Sequence, residues 1–323
     1  MQALPSGLGV LDESLGRFAL LLLVVAVIGT TAEETPIWRG GFSSYGIAQG
    51  GSRLGLRPGY WVALDMDREI SLQGVKLSDV GGIVMPTRNG LELIRRCIES
   101  VRERTRYPHY EILVVDNNSD DAATIEYLET EAAAGRIRLL KYPHPFNFSA
   151  INNFAVQYAE GQLLAFMNND LEVIDGVWLE EMVSQAVRPE IGAVGACLWY
   201  PDDRLQHGGV VLGLGGVAGH AMKMMPRGAK GYNARAVLVQ NYSAVTAACL
   251  LLRRRVFDEV EGFDAKNLPV AFNDVDFCLR IGERGYRNLW TPYAELYHHE
   301  SASRGPEDTP EKQRRFKKEI DYM

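Results

Sequence analysis

The spacing of apolar and polar residues changes character near residue 77. Before it the chain is glycine-rich and weakly patterned (Gly40-Gly41, Gly50-Gly51, Pro58-Gly59), with one strand-like run at residues 60–64. After it, short apolar runs alternate with amphipathic stretches. Residues 82–85 form a buried-strand pattern closed by Pro86. Leu91, Ile94, Cys97, Ile98 and Val101 recur at helical spacing and predict one apolar helix face. E-I-L-V-V-D at 111–116 reads as a second strand, 122–134 as a helix stopped by Gly135, and 137–140 as a strand. A helix over 149–160, with Ile151, Phe154, Ala155 and Tyr158 on one side, ends at Gly161, and residues 163–167 form a further strand. This alternation predicts an α/β domain, a mostly parallel sheet with helices on both faces. In such a sheet the ligand crevice lies beyond the carboxyl ends of the strands.

Three strands end in polar clusters: Pro86-Thr87-Arg88-Asn89, the run Asp116-Asn117-Asn118-Ser119-Asp120-Asp121, and Asn168-Asn169-Asp170. None is a G-x-G-x-x-G or P-loop sequence, so both phosphate-binding fingerprints are absent. An acid ending the second strand can accept hydrogen bonds from a ribose or base. One ending a later strand suits a hard divalent cation that also grips phosphate. Asn and Asp also favour turns and caps, which explains any one cluster alone. Downstream, Phe272-Asn273-Asp274-Val275-Asp276 opens a helix whose acids complement its positive end; at a crevice, an Asp there can instead take a proton from a hydroxyl. Finally, an alternating strand delivers His298 and His299 to its end, where a neutral imidazole can complete a metal site begun by a carboxylate. The spacing is not H-E-x-x-H, which rejects a hydrolytic zinc site.

Composition narrows the classes. The 323 residues are 46% hydrophobic and 23% charged, enough for a large core, and the net charge of −7 excludes nucleic-acid binding by bulk electrostatics. Cys97, Cys197, Cys249 and Cys278 fall in apolar segments, as buried thiols of a reducing compartment do, and cannot form a disulfide scaffold. Residues 18–32 carry no charge. As a helix they reach roughly 22 Å, short of the roughly 30 Å of a bilayer core. A buried or interfacial helix, a short membrane anchor and a signal peptide stay open, although Asp12, Glu13 and a lone Arg17 make a poor leader. The end at Met323, soon after a charged helix, fits a truncated C-terminus.

Taken in order, P-T-R-N, V-V-D-N-N-S-D-D, F-M-N-N-D, F-N-D-V-D-F-C-L-R and Y-H-H-E-S-A-S-R-G resemble the glycosyltransferase family 2 enzymes of GT-A fold over roughly residues 79–323. The resemblance is to bacterial members that build surface polysaccharides, rhamnosyl- and galactofuranosyltransferase-like proteins among them. It implies a GT-A domain at 77–323 behind an N-terminal extension, 1–76, of unknown role. It also implies that Pro86, Thr87 and Arg88 hold the nucleotide base, with Asp116 on base or ribose and Asn118 in the same donor site. The family's D-x-D motif falls on Asn168-Asn169-Asp170, with a neutral residue in first place. Asp170 is then the direct ligand to Mn2+ or Mg2+, Asn168 and Asn169 lie on the donor side, and His298 is the late metal-binding histidine. Asp274 takes the place of the catalytic base, with Asp276 as runner-up.

The implied reaction is an inverting transfer from a UDP- or dTDP-linked sugar to a hydroxyl of a glycan or lipid-linked acceptor. The alternative is a non-catalytic nucleotide-sugar or glycan-binding module with a degraded metal site; a nucleotidyltransferase lacks the basic glycine-rich loop it would need. Asn147 is placed to reach the donor or to cap a helix, and Arg304 to meet the diphosphate. Residues 206–220 read either as a loop over the sugar or acceptor or as a plain hairpin. Residues 311–318 read as a solvated charged helix with basic residues available to anionic lipid. Because the donor is cytosolic, a cytoplasmic enzyme is expected; at residues 18–32 an interfacial or anchoring helix on the inner face of the membrane gains on a plain core helix, contact with lipid stays open, and the signal-peptide reading loses weight.

Overall fold

The computed structural model describes residues 80–299 and 309–323. The expectations for residues 1–76, for the apolar stretch 18–32 and for Arg304 lie outside the described residues. Strand β1 (Val80–Thr87) has Ile83, Val84 and Met85 wholly buried and runs through Pro86, which faces Val115 in a parallel pairing. Helix α1 (Leu91–Arg104) starts from left-handed Gly90 and buries Ile94, Cys97, Ile98 and Val101, the face the spacing predicts. Strand β2 (Tyr110–Asp116) leads to α2 (Ala122–Ala133), capped by the Asp121 carboxylate on the amide of Thr124 and followed by Gly135 at φ 68°. Then come β3 (Arg138–Lys141), α3 (Phe148–Val156) and the fully buried β4 (Leu163–Met167). The predicted helix 149–160 stops early because the Arg254 guanidinium takes the carbonyls of Val156, Ala159 and Gly161.

The second half departs from simple alternation. Short β5 (Leu171–Val173) precedes α4 (Trp178–Ala186) and the long buried β6 (Ile191–Trp199). After β7 (Leu205–His207), β8 (Val210–Leu212) and β9 (Ala218–His220) form a separate hairpin, so the glycine-rich run is structured. The chain continues through β10 (Gln240–Tyr242), β11 (Cys249–Arg253), α5 (Arg254–Glu259), α6 (Asn273–Glu283), β12 (Arg287–His298) and α7 (Pro310–Tyr322). The main sheet runs β10-β12-β6-β11-β4-β1-β2-β3. Strands β3, β2, β1 and β4 are parallel, whereas β11 enters antiparallel between β4 and β6. Neighbouring residues of β1 feed opposite cores: Ile83 and Met85 pack in the cluster with Ile94 and Trp178, and Val84 in the cluster with Phe166, Phe277 and Trp290. Helices therefore cover both faces.

One buried acid has a consequence for stability. Glu181 of α4 accepts hydrogen bonds from the Thr291 hydroxyl (2.7 Å) and the Gln185 amide (3.2 Å), while its Oε2 has no partner. Burial pushes its pKa from 4.5 up to about 7 despite those two bonds. Between those values the folded chain binds a proton that the unfolded chain has lost, so stability falls as pH rises, by a total on the order of 3 kcal/mol. Glu181→Gln has no such titration. Urea midpoints at pH 5 and pH 8 should therefore move in favour of the Gln variant at the higher pH, and a parallel fall in both proteins would refute the assignment.

Candidate active site

The ends of β1, β2, β4 and β12 converge as a parallel-sheet crevice requires. Sheet register sets the central pair: His298 lies opposite Leu171 in the β12–β5 ladder, and the amide of His299 donates to the Asp170 carbonyl. The side chains of Asp170 and His298 are 5% and 8% exposed, with Oδ1 and Nε2 3.2 Å apart. His298 Nδ1 sits 2.8 Å from Oε1 of buried Gln206 and donates to it, which leaves Nε2 as the nitrogen turned to Asp170. Asp170 Oδ1 is buried with no further hydrogen-bond partner. So dry a contact between a carboxylate and a ring nitrogen is favourable only with positive charge between them, a proton on Nε2 or a cation. Burial opposes ionisation of Asp170, but contact with His298 and the charge of both histidines outweigh it and hold the carboxyl below its ordinary range. The Asn168 amide lies 3.5 Å from the same His298 nitrogen.

This donor set fits Mn2+ or Mg2+. Such ions bind through one or two protein groups and complete their shell with water and substrate phosphates. No cluster of three or more His, Cys, Asp or Glu poised for a metal occurs among the described residues, so an all-protein cage is not what the strand ends offer.

The residues expected on the nucleotide side are joined to this pair. Buried Asn169 donates to the Thr87 hydroxyl at 2.9 Å, tying the β4 end to the β1 end. Asp116, also buried, accepts the amide of Ser119 on Oδ1 and pairs with Lys141 on Oδ2, both at 3.0 Å. Asn118 beside it is left-handed (φ 58°). Pro86 is half-buried, and Arg88 is exposed with Asp120 3.7 Å away. Asn89, absent from the sequence-based site, locks the β1 and β2 loops by accepting the amides of Asp120 and Asp121 and donating to the Asp120 carboxylate. Asn147 caps α3 through Ala150 and donates to the Ala265 carbonyl, so both ends of its amide serve the scaffold.

On the opposite side, half-buried Asp274 opens α6. Its Oδ1 accepts the amide of Val275 (2.9 Å) and its Oδ2 that of Ala247 (3.2 Å). The carbonyl of Ala248 in turn holds the amide of Asn168 at 2.9 Å, so two residues of backbone separate the Asp274 contact from the β4 cluster. Asp276 instead lies along its helix in a two-point pair with Arg280 at 2.7 and 2.9 Å. His299 turns towards Glu172 and Arg96, each 3.4 Å away. Fully buried His207 stacks edge-on with His220, their Nδ1 atoms 2.8 Å apart; burial first, and then His220 and His298, push its pKa well down. Gln206 is the residue that sequence reasoning named only as part of a glycine-rich run, since it stands 92 positions from the histidine it orients.

Residues 82–260, more than half of the chain, match the family described as glycosyl transferase family 2. The chain belongs to glycosyl transferase family 2. This agrees with the order of its strand-end motifs. The family 2 chain is 53% identical over 242 residues to a protein of Sinorhizobium fredii named only as uncharacterized y4gI, covering 75% of this chain and 27% of that protein. It is 44% identical over 230 residues to the O-antigen biosynthesis protein RfbC of Myxococcus xanthus, covering 71% of this chain and 18% of RfbC. The chain therefore spans little more than a quarter of these relatives at most. Its fold is that of GT-A glycosyltransferases: the crystal structure of GalNAc-T7 with UDP, GalNAc and Mn2+ superposes with a TM-score of 0.56 at 16% identity, over 67% of this chain and 42% of that one.

Proposed function

We propose that residues 77–323 form a metal-dependent, inverting glycosyltransferase domain that moves a sugar from a nucleotide-sugar to a hydroxyl of a glycan or lipid-linked acceptor in cell-surface polysaccharide synthesis. The observation that carries this reading is the buried Asp170 Oδ1 held 3.2 Å from Nε2 of His298 at the strand ends, with Asp274 two backbone residues from the same strand end. Membership in family 2 and the naming of RfbC for O-antigen biosynthesis support the substrate class. No helix among the described residues is long and apolar enough to cross a membrane, and in this reading any contact with the cytoplasmic face is peripheral.

The roles follow from position. Thr87, Asp116 and Asn118, with Pro86 and Arg88 at the rim, receive the base and ribose, and Asn169 keeps the two strand ends in register. Asp170 and His298 would hold Mn2+ or Mg2+, with Asn168 beside them. When bound, the cation offsets charge developing on the departing nucleoside diphosphate. Gln206 keeps the His298 proton on Nδ1, which leaves Nε2 free to ligate. Asp274 accepts the acceptor hydroxyl's proton as that oxygen attacks the anomeric carbon from the face opposite the diphosphate, which inverts the centre. Asp276 is occupied by Arg280 and is the weaker candidate.

The substrate test is a thermal-shift panel of UDP-, dTDP- and GDP-sugars with and without Mn2+. One nucleotide class should raise the midpoint only in the presence of metal, and a panel with no response in either condition would overturn the donor assignment. Gln206→Leu should weaken Mn2+ binding roughly 10- to 100-fold in a calorimetric titration with UDP present, as loss of a ligand-orienting partner does. Unchanged affinity would remove Gln206 from the site.

A further inference from the structure

We propose that the last helix of the chain is a positioning element for the acceptor side: Glu319 and Phe316 of α7 hold the turn that opens α6 and thereby aim Asp274. The proposal rests on the reading of Asp274 as the base. Its sequence looks like that of a solvated helix, yet Glu319 is 1% exposed. Its Oε1 accepts two consecutive backbone amides, Val270 at 2.8 Å and Ala271 at 3.0 Å, and its Oε2 pairs with Arg315 at 3.4 Å. One turn earlier on the same face, Phe316 stacks on Phe272 with ring centroids 5.5 Å apart and planes inclined by 26°.

Phe272 is the residue that needs holding. It sits in the left-handed region (φ 56°, ψ 5°) directly before α6, a conformation that side chains other than Asn and Asp rarely adopt. Asn273 closes the same turn by donating to the Val270 carbonyl at 2.8 Å. Two donated amides, one closing amide and one ring stack therefore fix residues 270–273, and Asp274 is the next residue. Its Oδ2 then meets the amide of Ala247. A misplacement of about 1 Å at a reacting group can cost about 100-fold in rate, so a helix nearly fifty residues downstream matters to the chemistry.

Hydrogen–deuterium exchange on the full chain, without any ligand, tests this. Glu319→Ala should speed exchange about tenfold or more not only at 270–272 but also at 244–249, where Ala247 loses its Asp274 partner. Glu319→Gln keeps an acceptor oxygen and should restore protection at both segments, while the strands β1 to β4 stay unchanged in either variant. UDP with Mn2+ should still raise the thermal midpoint of Glu319→Ala as it does the unaltered protein. Should Glu319→Ala fail to fold, Phe316→Ala carries the test, with the same two segments loosened. Faster exchange confined to 270–272, with 244–249 unchanged, would reduce α7 to a docked helix and overturn the proposal. Turnover by Asp274→Asn would refute the base reading instead, and leaves the exchange result independent of it.

Discussion

Asp274→Asn is expected to lower sugar transfer by about 100- to 10,000-fold, the range associated with loss of a positioned general base. The physical reason is specific to the first turn of α6. The carboxylate accepts amides of Val275 and Ala247 and has further lone pairs for a hydroxyl proton, whereas Asn keeps one acceptor oxygen and no basicity. The residues proposed for nucleotide and metal lie at the ends of β1, β2, β4 and β12, so binding of UDP with Mn2+ should persist. Measured together, retained binding and lost turnover identify Asp274 as the base. Turnover within about tenfold of the unaltered protein would move the role elsewhere, first to Asp276.

Asp170→Asn should also silence transfer, by at least about 100-fold, through loss of the charged metal ligand. Its sharper signature is in melting with and without metal. Without metal the ionised Asp170 is paired with His298, which holds its carboxyl below the ordinary range, and an Asn amide does not replace that charge. The variant should therefore melt lower than the unaltered chain without metal, and gain nothing from Mn2+ and UDP. An intact Mn2+ response in the variant would show that Asp170 serves the fold alone and that another group holds the cation.

How far these residues were legible in sequence depended on how local their cause is. Strands β1, β2 and β4 and helix α1 follow from short apolar runs and a single helical stripe, and Leu163–Met167 matches its expected bounds. The antiparallel entry of β11 between β4 and β6 has no such local signature, because register there is set by partners far along the chain. The same division holds in the site. Asp170, His298 and Asp274 announce themselves at strand and helix ends, where the family resemblance also places them. Gln206 and Glu319 act through contacts made only when distant segments meet, and Glu319 reads as one more charge on a polar helix. Asn147, open in sequence to a donor contact or a cap, has both ends of its amide taken by scaffold bonds.

The proposed reaction turns on a cation held between the β4 and β12 ends against a nucleotide diphosphate. A crystal structure with UDP and Mn2+, collected with anomalous data, tests it most directly. The prediction is one anomalous peak within coordination distance of Asp170 Oδ1 and His298 Nε2, with the base and ribose along Thr87 and Asp116. Bound UDP with no such peak, or with the metal at any other side chains, would contradict it.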